Sequence, residues 1–118
     1  MARNRFEAGL RGEALAEDFL RSRGYSVLEK RYRNKLGEID LIVRLGDCVA
    51  FTEVKYRAGI GFGYPREAVG IVKQRRIKRC AEAYIVHKKL AGVDFRFDVI
   101  EILDQGTPQI EHIENAFW

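Results

Sequence analysis

Asp40, Glu53 and Lys55 stand inside GEIDLIVRLGDCVAFTEVKYR (Gly37 to Arg57), a stretch otherwise rich in Ile, Leu, Val, Ala and Phe. Charges in such runs need a reason, because a charge taken out of water without a partner is costly. Gly46-Asp47 suits a two-residue hairpin loop, with Gly at the first central position of a type II′ turn. Closed there, the register sets Asp40 opposite Glu53 and Glu38 opposite Lys55. Strand alternation then sends Asp40, Glu53 and Lys55 to one face, and directly opposed residues have Cβ atoms about 4.5 to 5.5 Å apart. Ile42, Phe51 and Val49 continue that face, while Ile39, Leu41, Val43, Ala50 and Val54 fall on the other, so the hairpin is expected to be covered on both sides.

Two carboxylates this close repel one another. One must take a proton, or a cation must sit between them. Lys55 offsets only one of the two charges. Paired carboxylate oxygens suit Mg²⁺ or Mn²⁺, hard ions that take oxygen ligands and keep several waters. An ion so held can activate water and stabilise a phosphoryl transition state, with a nearby lysine orienting the water or binding the anion. The plainer reading is a surface ion-pair cluster at a strand end.

The elements that must position these residues follow from periodicity. Ala8, Leu15, Ala16, Phe19 and Leu20 recur at helical spacing and predict a helix from about Arg5 to Arg23, ended by Gly24. Tyr25 to Arg33 alternates as an edge strand, and two strands follow at about Glu38 to Arg44 and Cys48 to Lys55. The glycines and proline of GIGFGYP, Gly59 to Pro65, predict a loop. A second helix follows, from Pro65 to about Lys89, with Ile77, Cys80, Ala81, Tyr84 and Ile85 as its apolar stripe and Gly70 a break near its start. Asp94 to Leu103 is a strand, and QIEHIENAF adds a short last one. This order predicts an α/β fold with a mixed central sheet flanked by helices on both faces, and a parallel strand-helix-strand unit from Phe51 to Val99. On the first helix, Glu13 falls between Phe6 and Leu20 on the core-facing stripe, and Glu17 lies at its edge. A Glu facing a sheet needs something positive to meet it, and the ion would supply that.

The 118 residues amount to one domain, residues 1–118. An apolar fraction of 47% with 32% charged residues is that of a globular chain. No apolar run approaches the roughly 18 residues that span a bilayer, and the N-terminus lacks a signal-type segment, so the expected location is cytoplasmic, away from any membrane. Cys48 and Cys80 have no metal-ligand spacing and read as reduced thiols. His87 and His112 lie far from the carboxylates and are not needed. The net charge of +4 favours anionic partners, nucleic acid first.

Asp followed by Glu-x-Lys on a hairpin, after a helix bearing Glu, resembles the PD-(D/E)XK nuclease superfamily, whose members share a restriction-endonuclease-like fold. GLRGEALAEDFLRSRGY, GEIDLI, FTEVKYR, RFDVIEI and NAF together resemble the YraN-like family of uncharacterised bacterial proteins, over nearly the whole chain. That family is similar to archaeal Holliday junction resolvases. The resemblance implies Asp40 and Glu53 as metal ligands, Lys55 as the catalytic lysine and Glu13 as the helix glutamate that joins the metal set. The residue before Asp40 is Ile39, where the superfamily's name has Pro.

A nuclease must hold phosphates beside its metal. Arg33 and Lys35 approach from one side. Arg57, Arg66, Lys73, Gln74 and Arg76 approach from the other, so the expected partner is nucleic acid, DNA above all, bound mostly through its backbone. The leading expectation is a Mg²⁺- or Mn²⁺-dependent nuclease acting on DNA, including branched or damaged DNA. A nucleic-acid-binding module that keeps the fold without turnover is the second, and a protein-interaction adaptor the third. The resolvase comparison leaves a homodimer open, and no interface can be read from these residues.

Overall fold

The computed structural model describes residues 5–58 and 69–117. In chain order the elements are α1 (Arg5–Ser22), β1 (Ser26–Asn34), β2 (Gly37–Leu45), β3 (Cys48–Ala58), α2 (Ile71–His87), β4 (Asp94–Asp104) and β5 (Pro108–Ile113). The five strands form one sheet in the order β1-β2-β3-β4-β5. β3 and β4 run parallel and the other neighbours antiparallel, as a hairpin followed by a helical crossover requires.

Two apolar clusters sit on opposite faces of the sheet, one under each helix. Ala16 and Leu20 of α1 pack with Leu41, Val43, Ala50, Ile100 and Ile102. Ile77, Cys80, Ala81 and Tyr84 of α2 pack with Ile39, Ile42, Val49 and Phe51. Cys80 is fully buried and both thiols are free, consistent with their acting as small apolar residues. The expected α/β sandwich is therefore present, with the end of α1 set by Gly24. Gly24 has φ +92°, its N–H bonds to Arg21 O at 3.0 Å and the Tyr25 N–H bonds to Leu20 O at 3.0 Å. These two bonds are the Schellman pair that satisfies the last carbonyls of a helix.

The hairpin closes as its turn residues dictate. Gly46 has φ +58° while Asp47 is not left-handed, as a type II′ turn needs, and Leu45 pairs with Cys48. The ladder then runs in the expected register to Leu41 opposite Thr52 and stops. The expected pairings of Asp40 with Glu53 and of Glu38 with Lys55 do not form. From Gly37 to Ile39, β2 instead stays with β1, and β3 past Thr52 stays with β4 alone.

The expected strand alternation also fails at this point. Ile39 lies under α2, whereas Leu41 lies under α1, although they are two residues apart. β1 is irregular nearby, with a register shift between Val27 and Glu29, opposite Val43 and Ile42, and a left-handed Arg31 at φ +51° between the partners of Leu41 and Ile39. Asp40, between Ile39 and Leu41, is left at the fork where the strands part. The second helix likewise begins later than expected. Its described span starts at Ile71 with Gly70 as the N-cap, and Pro65 falls outside the described residues.

α1 is seated against the same fork. A Cβ placed on Gly12 would come within 2.7 Å of the Tyr56 Cβ, so only glycine lets the helix approach β3 this closely. A Cβ on Gly9 would meet nothing within 4 Å. Gly12→Ala is therefore expected to cost about 1–3 kcal/mol through overpacking. Gly9→Ala should stabilise by roughly 0.5–1 kcal/mol through helix propensity. Urea unfolding midpoints of the two variants check this, and equal shifts of the same sign would contradict it.

Candidate metal centre at the strand fork

Where β2 and β3 separate, the Asp40 side chain takes over from the backbone ladder. Its Oδ2 accepts the Val54 N–H at 2.8 Å. Glu53, 3% exposed, enters from β3, and its Oε2 lies 3.0 Å from Lys73 Nζ on the first turn of α2. A cleft of about 370 Å³ opens here, lined by Glu13, Asp40, Val54, Tyr56 and Lys73, with Ala8 and Gly9 of α1. Tyr56 is fixed in that wall by donating its hydroxyl to Asp104 at 2.7 Å, an acceptor that also takes Arg11 Nε at 2.7 Å.

The electrostatics of the pair are those of too much negative charge in too little water. Burial first, then the charge of Asp40, pushes the Glu53 carboxyl up to about 7 against the pull of Lys73. Burial also raises Asp40, where the Val54 N–H works against the charge of Glu13. Both carboxyl groups therefore hold a proton more readily than ordinary carboxylates, and added positive charge would relieve the pair. Lys73 is held above the ordinary lysine value because Glu53 outweighs the cost of its partial burial.

Sequence reasoning placed Asp40 directly opposite Glu53; that ladder pair does not form, but the two side chains still interact across the fork. Glu13 lines the same cleft, yet its Oε1 is taken by Arg31 Nε at 2.6 Å. Among the described residues, no three carboxylate, histidine or cysteine side chains are gathered closely enough to hold one ion, so Glu13 as placed is not a third ligand. The physical reason is Arg31, left-handed in its backbone, whose guanidinium is already paired with Glu13. Lys55 is half-buried on β3 beside Glu101 of β4 and, like the buried Glu53, is not among the residues lining the cleft.

The pairing of Glu53 with Lys73 is what sequence reasoning missed. It expected Lys73 only as a phosphate contact, and no periodicity within α2 shows that its third residue reaches β3. A donor set of two carboxylates fits Mg²⁺ or Mn²⁺, because such ions bind through one or two carboxylates and complete their shell with water.

Of the residues expected to contact nucleic acid, Arg33, Lys35 and Arg76 come together around a second hollow of about 360 Å³ beside the β1–β2 turn. Arg33 pairs there with Glu38 at 2.9 Å while remaining 75% exposed. Gln74 instead turns inward, donating Nε2 to Val69 O at 2.7 Å, and so anchors the first turn of α2. Arg57 sits on β3 opposite Leu103, and Arg66 lies outside the described residues, as do Phe62 and Tyr64. His112 is a structural histidine, its Nε2 2.7 Å from Asp98 Oδ2, and His87 is exposed at the end of α2. No helix among the described residues is long and apolar enough to cross a membrane.

A family whose description is "Uncharacterised protein family UPF0102" matches this chain over residues 12–102. A UPF0102 protein of Caldicellulosiruptor saccharolyticus is 41% identical over 97% of this chain and 99% of its own length. One of Acetivibrio thermocellus is 43% identical over 97% of this chain and 93% of its own. Another, of Clostridioides difficile, is 45% identical over 97% and 99%.

The raised Glu53 carboxyl makes a signed prediction. A group whose folded value exceeds its unfolded one stabilises the fold below the unfolded value, near 4.5, and that contribution is lost as pH rises through about 7. Glu53→Gln, which cannot ionise, should therefore gain on the natural chain by roughly 2–3 kcal/mol between pH 5 and pH 8 in metal-free buffer. Urea unfolding at the two pH values measures this, and a difference that does not change with pH would show that the Glu53 carboxyl is not raised.

Proposed function

Because this chain belongs to the uncharacterised protein family UPF0102, whose description names no activity, we propose a function from the site itself: a metal-dependent nuclease that hydrolyses phosphodiester bonds in DNA. UPF0102 is the YraN-like family whose sequence blocks the chain shares. The observation that carries the reading is the pair of carboxylates at the strand fork, both with raised proton affinity, with Lys73 on Glu53 the one basic residue among the described residues lining their cleft. The helix-then-hairpin order bearing Glu13, Asp40 and Glu53 supports a restriction-endonuclease-like fold and kinship with the PD-(D/E)XK nucleases.

In this reading Asp40 and Glu53 hold Mg²⁺ or Mn²⁺. The ion, when bound, supplies an activated water and positive charge for the phosphoryl transition state. Asp40 keeps one oxygen on the Val54 N–H and so presents the other in a fixed direction. Glu13, tied to Arg31, contributes negative potential that favours the cation rather than a direct bond. Lys55, two residues beyond Glu53, binds the scissile phosphate or orients the water. Arg33, Lys35 and Arg76 hold flanking phosphates, with Arg57 and Arg66 on the opposite approach, so that recognition depends on backbone and shape and extends to branched or damaged DNA.

One observation favours a second reading, a binding module without turnover. Lys73 already supplies Glu53 with a cation, as a site that never takes a metal would need.

Linear, flapped and four-way-junction DNA and RNA, incubated with Mg²⁺, Mn²⁺ or chelator, separate the two. Cleavage is expected only with metal, and Asp40→Asn should slow it by at least roughly a hundredfold, about 2.7 kcal/mol of barrier. Binding without cleavage, unchanged in Asp40→Asn, would establish the module instead.

A further inference from the structure

We infer that Lys73 is an exchangeable counter-ion, holding Glu53 when no divalent ion is bound and released to a nucleic-acid phosphate when one enters between Asp40 and Glu53. The inference rests on the nuclease reading and adds to it a coupling between metal and nucleic acid.

Three features carry it. Lys73 Nζ is 3.0 Å from Glu53 Oε2, and the side chain of Glu53 is 4% exposed while that of Lys73 is 53% exposed. The acid is thus fixed, and the ammonium is half in water already. Among the described residues lining this cleft, Lys73 is the only basic one. The helix turn beneath it is anchored, by the Gln74 side chain on Val69 O and by the Gln74 N–H on Gly70 O at 2.9 Å. The lysine stem can therefore swing without moving the helix.

Charge decides the rest. Two ionised carboxylates against one ammonium leave the site net negative. A divalent ion neutralises both carboxylates and repels an ammonium held on the same oxygens. A flexible four-carbon stem with a compact charge is suited to leaving one anion for another. In the metal-bound protein the nearest new anion is a phosphate, so Lys73 becomes a phosphate contact only after the ion is in place. The exchange makes no bond to Lys73 and moves no proton.

Calorimetry of the full chain with Mn²⁺ alone at pH 8.5 tests the exchange without relying on activity. Lys73→Gln, with no ammonium to displace, should bind Mn²⁺ about tenfold more tightly than the natural chain, while Lys73→Arg stays close to it. If the natural chain binds Mn²⁺ and Lys73→Gln binds it equally or more weakly, the exchange is wrong and the nuclease reading stands. If none of the three binds Mn²⁺, both fall.

The coupling has its own readout, the salt dependence of binding to a nuclease-resistant phosphorothioate duplex. With Mn²⁺ present, the slope of log K against log salt should be shallower for Lys73→Gln than for the natural chain by about 0.9, one phosphate contact. In chelator the two slopes should agree. A difference of that size in chelator would overturn the inference, since Lys73 would then reach phosphate without the metal.

Discussion

Two carboxylates forced together at the end of a hairpin are the constraint on which the rest of this site depends. The β2–β3 ladder ends at Leu41 and Thr52, while β2 continues with β1 and β3 with β4. That divergence leaves a gap between hydrogen-bonded strands, and the Asp40 side chain fills part of it by accepting the Val54 N–H. Everything around the gap acts to keep it in place. Gly12 lets α1 press on Tyr56, Tyr56 and Arg11 converge on Asp104, and Arg31 draws Glu13 toward the same opening. The result is a cleft whose walls are satisfied and whose floor is short of positive charge.

The same sheet contains a contrasting case. Asp98 is fully buried, more so than Asp40 or Glu53. Burial alone would raise it, but hydrogen bonds from His112, Arg96 and the Asn115 N–H outweigh that and hold it below the usual carboxylate range. Arg96 is held in turn by the Tyr25 hydroxyl at 2.7 Å. Asp98 is a completed network with no capacity left for a ligand. Asp40 and Glu53 are shifted in the other direction, the kind of perturbation that clusters at functional sites. Burial is therefore not what distinguishes the two clusters; the balance of donors is.

Much of this was legible from residue types and spacing. The turn at Gly46-Asp47 set the hairpin register as far as Leu41 and Thr52, which leaves Asp40 and Glu53 as the next residues on either side of the fork. Gly24 announced the end of α1, and the stripe of Ile77, Cys80, Ala81 and Tyr84 announced the buried face of α2. What could not be read was local departure from regular strand geometry. Simple alternation put Ile39 and Leu41 on one face and paired Glu38 with Lys55. The left-handed Arg31 and the divergence of β2 from β3 broke both patterns. Tertiary ion pairs were equally hidden, because nothing in the sequence near Lys73, Gln74 or Arg31 states which distant carboxylate or carbonyl each will meet.

The central claim is that Asp40 and Glu53 jointly hold one divalent ion, and anomalous scattering from crystals soaked in Mn²⁺ tests it most directly. The account predicts a single strong anomalous peak within about 2.5 Å of an oxygen from each of the two side chains, with waters completing the shell and Lys73 moved off Glu53. A map with no peak at the fork, and Lys73 still on Glu53 at saturating Mn²⁺, would contradict it.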